Sequence, residues 1–281
     1  MKLIANFGTL LEGLDIPQKY QYLSKLGFKL VEIPNPYDLD AETHVELGKK
    51  FNLKHVLINA PMGTNKGILI NGSSEEIDES ITKAVKYAKI LGVKKVHVMA
   101  GITGNRSETM IRSDDADEAV YVNNLALANN ILAKNGIQCL IEPINKYTIP
   151  GYFLNSYCQA IRIIEKIGSD NIKILYDLFH AQQIQGQLIE FAKKNANLIG
   201  HLQGAQVSDR GPFINSGEID FKYVIPALER INKEWMIGAE CVLNFDDQTL
   251  RNELFNWFEN GSSDVIPSFM EKWLQHCQLQ F

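Results

Sequence analysis

"CLIEPIN", residues Cys139–Asn145, decides how this chain is read. Cys139, Leu140 and Ile141 have the character of a strand inside a sheet; Glu142 then supplies a carboxylate and Pro143 stops the pattern. A buried carboxylate is costly unless something pairs with it, so Glu142 must reach solvent, meet a cation or do chemistry. The same pattern repeats along the chain. "KLIAN", "KLVEI", "KHVLIN", "KKVHVM", "IQCLIE", "IKILYD", "LIGHLQ" and "WMIGAE" read as short strands. Helical sequence follows them near 16–26, 41–51, 75–91, 114–134, 157–167, 187–195, 222–231 and after the eighth. Eight strand–helix units in 281 residues predict an α/β chain closed as a single (β/α)8 TIM barrel over 1–281, with a C-terminal helical extension at about 249–281. "LGF", "LGV" and "NGI" each set Gly between a helix and the next strand, where helix C-termini favour it. "NGSSEE" has the Ser-then-Glu order of a helix cap.

Composition narrows the function. Hydrophobic residues make up 45%, enough for a large core, and 28 Lys plus Arg against 33 Asp plus Glu leave a net charge of −5. That balance argues against a general nucleic-acid or anionic-membrane surface. No apolar run is long enough to span a bilayer, and the N-terminus reads as a first strand and not as a signal peptide. Cys139, Cys158, Cys241 and Cys277 are scattered without paired spacing, which predicts reduced thiols in a cytoplasmic protein.

Barrel enzymes place their chemistry at the C-terminal ends of the strands. Here strand two closes on Glu32, five on Glu142, six on Asp177, seven on Gln203 and eight on Glu240. Each residue alone would serve to cap the next helix. Together, the three carboxylates and one amide from the last four strands converge on one side of the mouth. Neighbouring carboxylates repel, so they need protons or a cation, and an all-oxygen donor set suits Mg²⁺ or Mn²⁺ ahead of Zn²⁺. His180 lies just past Asp177 and is a candidate substrate contact. His201 shares a strand side with Gln203 and fits the site or the core equally, whereas His97 within "VHVM" is expected in the core. Arg210, on the long loop after strand seven, is the candidate for gripping a substrate carboxylate through two parallel hydrogen bonds, with Lys66 and His180 assisting. The late aromatics Phe255, Trp257, Phe258, Phe269 and Trp273 are expected to pack the fold or to form contacts in a homo-oligomer.

"VEIPNPYD", "LIEPINKYTIPGYFL", "KILYDLFHAQ", "GHLQGAQV", "RGPFINSGEIDF" and "GAEC" together resemble the hydroxypyruvate isomerase family of xylose-isomerase-like barrels over nearly the whole chain. The resemblance implies a divalent metal, Mg²⁺ or Mn²⁺, held by Glu142, Asp177, Gln203 and Glu240. It also implies that Glu142 and Glu240 act as acid and base from opposite sides of the substrate. Gln203 fits this branch, since sugar epimerases of the superfamily usually carry His at that ligand. Three positions depart from the family pattern: Ile58 stands where His is usual, Lys66 where Arg is usual, and Cys241 and Val242 follow Glu240. The activity implied is isomerisation of a short hydroxy-oxo acid, first hydroxypyruvate to tartronate semialdehyde through an enediol. A 2-oxo-tetronate isomerase, a small-sugar epimerase or dehydratase, and a sugar-acid-binding barrel without turnover are the alternatives.

Overall fold

The computed structural model describes residues 1–103, 114–214 and 216–242. The expected extension at about 249–281, the late aromatics and Cys277 lie outside these described residues.

Eight parallel strands close into a barrel in chain order: β1 (Lys2–Asn6), β2 (Leu30–Ile33), β3 (Lys54–Asn59), β4 (Lys95–His97), β5 (Gln138–Ile141), β6 (Ile172–Asp177), β7 (Ile199–Gly204) and β8 (Met236–Ala239). The ring is completed by β1 on β8, with Ile4 opposite Gly238 and Ala5 opposite Ala239. Around it run α1 (Ile16–Lys25), α2 (Ala41–Phe51), α3 (Ser74–Leu91), α4 (Asp114–Lys134), α5 (Tyr157–Ile167), α6 (Leu178–Ile184), α7 (Leu188–Lys194) and α8 (Phe221–Ile231). The expected TIM barrel is therefore present. α6 was not expected: it starts directly from the end of β6, because the Asp177 side chain accepts the Phe179 backbone N–H at 2.9 Å and caps it.

Local chemistry explains the turns. Ser73 and Glu76 form a reciprocal capping box at the start of α3, as the sequence predicts. Gly92 and Gly136 carry φ of +71° and +65°, a left-handed conformation that suits glycine and turns the chain from helix into strand. The main core fills the space between barrel wall and helices. A separate small cluster, Leu57, Leu140 and Leu175, lies inside the barrel, since each sits two residues before a polar strand-end residue and shares its side of the strand. These leucines share the level below the mouth with polar side chains, since Leu57 is the register partner of Glu32 and Leu175 that of His201. Ile58, by the same alternation, packs in the outer core, while Asn59 lines the mouth cavity.

Candidate active site

Four strand ends deliver the predicted donors to one place. Glu142 follows β5, Asp177 ends β6, Gln203 lies in β7 and Glu240 follows β8. Glu142, Gln203, Glu240, His180 and Arg210 line one cavity of about 280 Å³. Asp177 joins them from its wall, its Oδ2 3.6 Å from both His180 Nε2 and Arg210 Nη2. Glu142 and Asp177 are almost fully buried, at 5% and 0% exposure.

The site holds more negative than positive charge. Burial, helped by repulsion from Glu240 and Asp177, pushes the Glu142 carboxyl well above the usual carboxylate range. Burial also raises Asp177 and Glu240, to about 6 and about 7, against the opposing pull of Arg210. Glu142 Oε1 and Asp177 Oδ2 are buried oxygens without a hydrogen-bond partner. Orphaned, crowded carboxylate oxygens are what a divalent cation satisfies, so the donor set fits one. Glu142, Asp177, Gln203 and Glu240 are the residues that could hold it.

Arg210 is built into this cluster and is not a solvated loop charge. Its Nη2 lies 2.9 Å from Glu240 Oε2, its Nε donates to the Glu240 carbonyl at 3.1 Å, and its guanidinium sits 4.8 Å over the Phe179 ring. Glu240 thus engages the Nε and Nη2 donors of the guanidinium through its carbonyl and its carboxylate. Lys66 is not brought to the cavity lining; it is exposed, in a tight turn with φ of +53°.

His180 lies close enough to Glu142 and Asp177 for one ligand atom from each to fall within 4.8 Å of the others. Its hydrogen bonds argue against a ligand role. Asn145 Oδ1 accepts the backbone N–H groups of Tyr147 and Thr148, so its amide nitrogen must donate to His180 Nδ1, at 2.7 Å. Burial holds the imidazole neutral, and a neutral ring that accepts at Nδ1 carries its hydrogen at Nε2. His180 thus offers an N–H, not a lone pair, to the space between the two carboxylates.

Sequence reasoning missed three features. His97, expected in the core, is buried but lines the cavity, with Nε2 3.6 Å from Glu142 Oε2. Its position two residues past Lys95 on a strand gives no signal of that contact. Thr9 places a buried, unpartnered Oγ1 at the cavity wall. Glu32 lies below the cavity at 0% exposure, where Oε1 accepts from Asn6 Nδ2 at 2.9 Å and Gln203 Nε2 at 2.8 Å, and Oε2 pairs with His201 Nε2 at 2.8 Å. Room for it comes from Gly238, where an added Cβ would stand 2.3 Å from Glu32 Oε1.

Known proteins are similar to this chain over most of its length. The family model described as xylose isomerase-like TIM barrel matches residues 20–259. Hydroxypyruvate isomerase of Escherichia coli is 33% identical, over 92% of this chain and 98% of that protein. A Caenorhabditis elegans protein, named provisionally for the same activity, is 40% identical over 93% and 97%. The 2-oxo-tetronate isomerase of Haemophilus influenzae is 29% identical over 85% and 92%. Among solved structures, a family 2 AP endonuclease from Brucella melitensis superposes with a TM-score of 0.79 at 29% identity, over 85% of this chain and 92% of that one. The zinc-bound IolI protein superposes with a TM-score of 0.69 at 20% identity, over 95% and 98%, and shares the fold.

Proposed function

Since the chain belongs to the hydroxypyruvate isomerase family of xylose isomerase-like TIM barrels, we propose that it isomerises short hydroxy-oxo acids, converting hydroxypyruvate and tartronate semialdehyde into each other. The observation that carries this reading is a small cavity lined by two glutamates of raised pKa, Glu142 and Glu240, with a guanidinium beside them.

The reaction needs no external oxidant or reductant. A proton leaves the hydroxymethyl carbon, an enediol forms, and a proton returns to the neighbouring carbon, while the hydroxyl proton passes in the same direction, from the first carbon's oxygen to its neighbour's. Glu142 and Glu240 exchange the carbon-bound proton; Glu240, raised by burial to about 7, gains and loses it near neutral pH. Two carboxyls coupled through one small site titrate as a set. A bound divalent cation would supply Lewis-acid stabilisation of the negative charge that develops on the two oxygens. Glu142, Asp177, Gln203 and Glu240 are the proposed ligands, with Mg²⁺ or Mn²⁺ the ions their oxygens suit. His180 donates its Nε2 hydrogen toward the same oxygens. Arg210 attracts the substrate carboxylate through the charge of its guanidinium, which lines the cavity. Lys66 is proposed as a secondary anion contact when substrate is bound.

The Haemophilus relative supports a second reading, a four-carbon 2-oxo acid, which the same groups would process in the same way. A polyanion is a poor match for a carboxylate-lined cavity in a chain of net charge −5, although one structural relative is named as a nuclease. Among the described residues no helix is long and apolar enough to cross a membrane, and Cys139, Cys158 and Cys241 are free thiols, which supports a reducing compartment such as the cytoplasm. Self-association into a homo-oligomer is part of the same proposal.

Proton NMR of hydroxypyruvate incubated with metal-depleted protein, then with added Mg²⁺ or Mn²⁺, tests the proposal. Tartronate semialdehyde is expected only with metal, and Glu142→Gln is expected to abolish it. Turnover of the four-carbon acid alone would favour the second reading, and no turnover of either would leave a binding barrel.

A further inference from the structure

An amide side chain has two ends of nearly the same shape, and only the oxygen end binds a cation. Gln203 therefore has a right and a wrong orientation, and nothing in its own chemistry chooses between them. The surrounding hydrogen bonds do. Glu32, when ionised, only accepts. Its Oε1 takes the Gln203 Nε2 hydrogen at 2.8 Å and an Asn6 Nδ2 hydrogen at 2.9 Å. Asn6 cannot reverse, because its Oδ1 accepts the Gly8 backbone N–H at 2.7 Å. Oε2 of Glu32 faces His201 Nε2 at 2.8 Å. All of these side chains are buried. Turning Gln203 over would set its carbonyl oxygen against a carboxylate oxygen and leave two acceptors facing each other.

We propose that Glu32 is a positioning residue that fixes the Gln203 amide with its carbonyl oxygen toward the cavity and its nitrogen toward the barrel interior. This deepens the proposed function and rests on its metal reading. Glu32 does not touch the substrate; it acts through Gln203. The inference explains why an acid is kept inside the barrel, one layer below the reacting groups. A neutral acceptor at position 32 would also orient the amide, but an apolar residue would not.

Mn²⁺ affinity of the full chain, measured without substrate by electron paramagnetic resonance, separates orientation from simple support. Glu32→Gln keeps an oxygen for Gln203 and Asn6, while its nitrogen meets a His201 of reversed tautomer, so it should bind Mn²⁺ nearly as the parent does. Glu32→Leu should lose about 10–100-fold in affinity, the usual effect of removing a partner behind a ligand. Adding Gln203→Glu to Glu32→Leu should restore binding, because a carboxylate has no wrong end. Unchanged affinity in folded Glu32→Leu, or no recovery in the folded double variant, would overturn the proposal. Should Glu32→Leu fail to fold, metal-free parent protein gives the answer by NMR. The Gln203 NH₂ pair, assigned by its disappearance in Gln203→Glu, should resist solvent exchange and stay in place when Mg²⁺ is added. Freely exchanging NH₂ protons would refute the proposal. Parent protein that binds no Mn²⁺ while its NH₂ pair stays protected would remove the metal reading and leave Glu32 as the group that sets the side chain.

Discussion

Glu32 and Glu142 are both glutamates at strand ends, both buried, and they stand in opposite condition. Glu32, at the end of β2, meets Asn6, Gln203 and His201, and both its oxygens are bonded. Glu142, just past β5, keeps a buried Oε1 with no partner and stands beside Asp177 and Glu240, which repel it. One acid has been given everything a buried carboxylate needs. The other has been refused it. Satisfied groups hold structure together, whereas groups left wanting a partner keep their interaction energy for a ligand or a reaction.

The sharpest way to break this contrast is to neutralise each acid in turn. Glu142→Gln and Glu240→Gln should each reduce turnover of hydroxypyruvate by at least ~10²-fold, the low end for a group that moves a proton. The melting temperature of metal-free Glu142→Gln should hold or rise, since the change removes a carboxyl that its neighbours repel and that keeps an unpartnered buried oxygen. Glu32→Leu should do the reverse in a thermal melt, lowering stability by about 1–3 kcal/mol for each buried donor left unpaired. A Glu142→Gln protein that melts well below the parent would erase the distinction.

Arg210 should come next in size. Arg210→Ala is expected to weaken use of the acid substrate by ~1.5–3 kcal/mol in kcat/KM, the range for a lost charge-assisted bond, and to affect a neutral hydroxyaldehyde much less. Because the same guanidinium contacts Glu240 and Asp177, equal losses on both substrates would show that it serves the carboxylates and does not read the substrate's charge.

A pH series sharpens the comparison on the frustrated side. Asp177 and Glu240 are raised by burial to about 6 and about 7, while in the unfolded chain carboxyls titrate near ~4. The folded protein thus binds more protons between those limits, so metal-free protein should lose stability as pH rises from about 4 to about 7. A cation that replaces the protons should stabilise more at pH 8 than at pH 5, read as the shift in melting temperature on adding Mg²⁺ to protein freed of metal. A shift independent of pH would place the ion away from these acids. The smallest effect belongs to Asn145→Ala, which frees His180 Nδ1 and should lower kcat by less than tenfold, about 1 kcal/mol for one hydrogen bond.

Most of the barrel could be read directly. β3, β6, α2, α4 and α5 have the bounds that periodicity predicts, because alternation and helical spacing are local properties. The strand ends that meet at the cavity were legible for the same reason: once eight units are counted, the barrel geometry brings their C-terminal ends together. α6 was not, since its start depends on a single side chain capping a turn that has no helical repeat of its own. The contacts of His97 and Glu32 were not legible, for another reason. Alternation tells which side of a strand a residue faces, but not which residue it meets across the barrel. Glu32 and His201 are 169 positions apart, and their pairing follows only from the closed ring.

Gly238 carries a consequence for how this sequence can change over time. Any side chain there would run into the carboxylate held by β2, so the two sites do not drift independently. A lineage that shortens residue 32 is free to fill position 238; one that fills 238 first meets a clash within the barrel. The order of substitutions is thereby constrained, and among relatives a non-glycine at 238 should coincide with a smaller residue at 32.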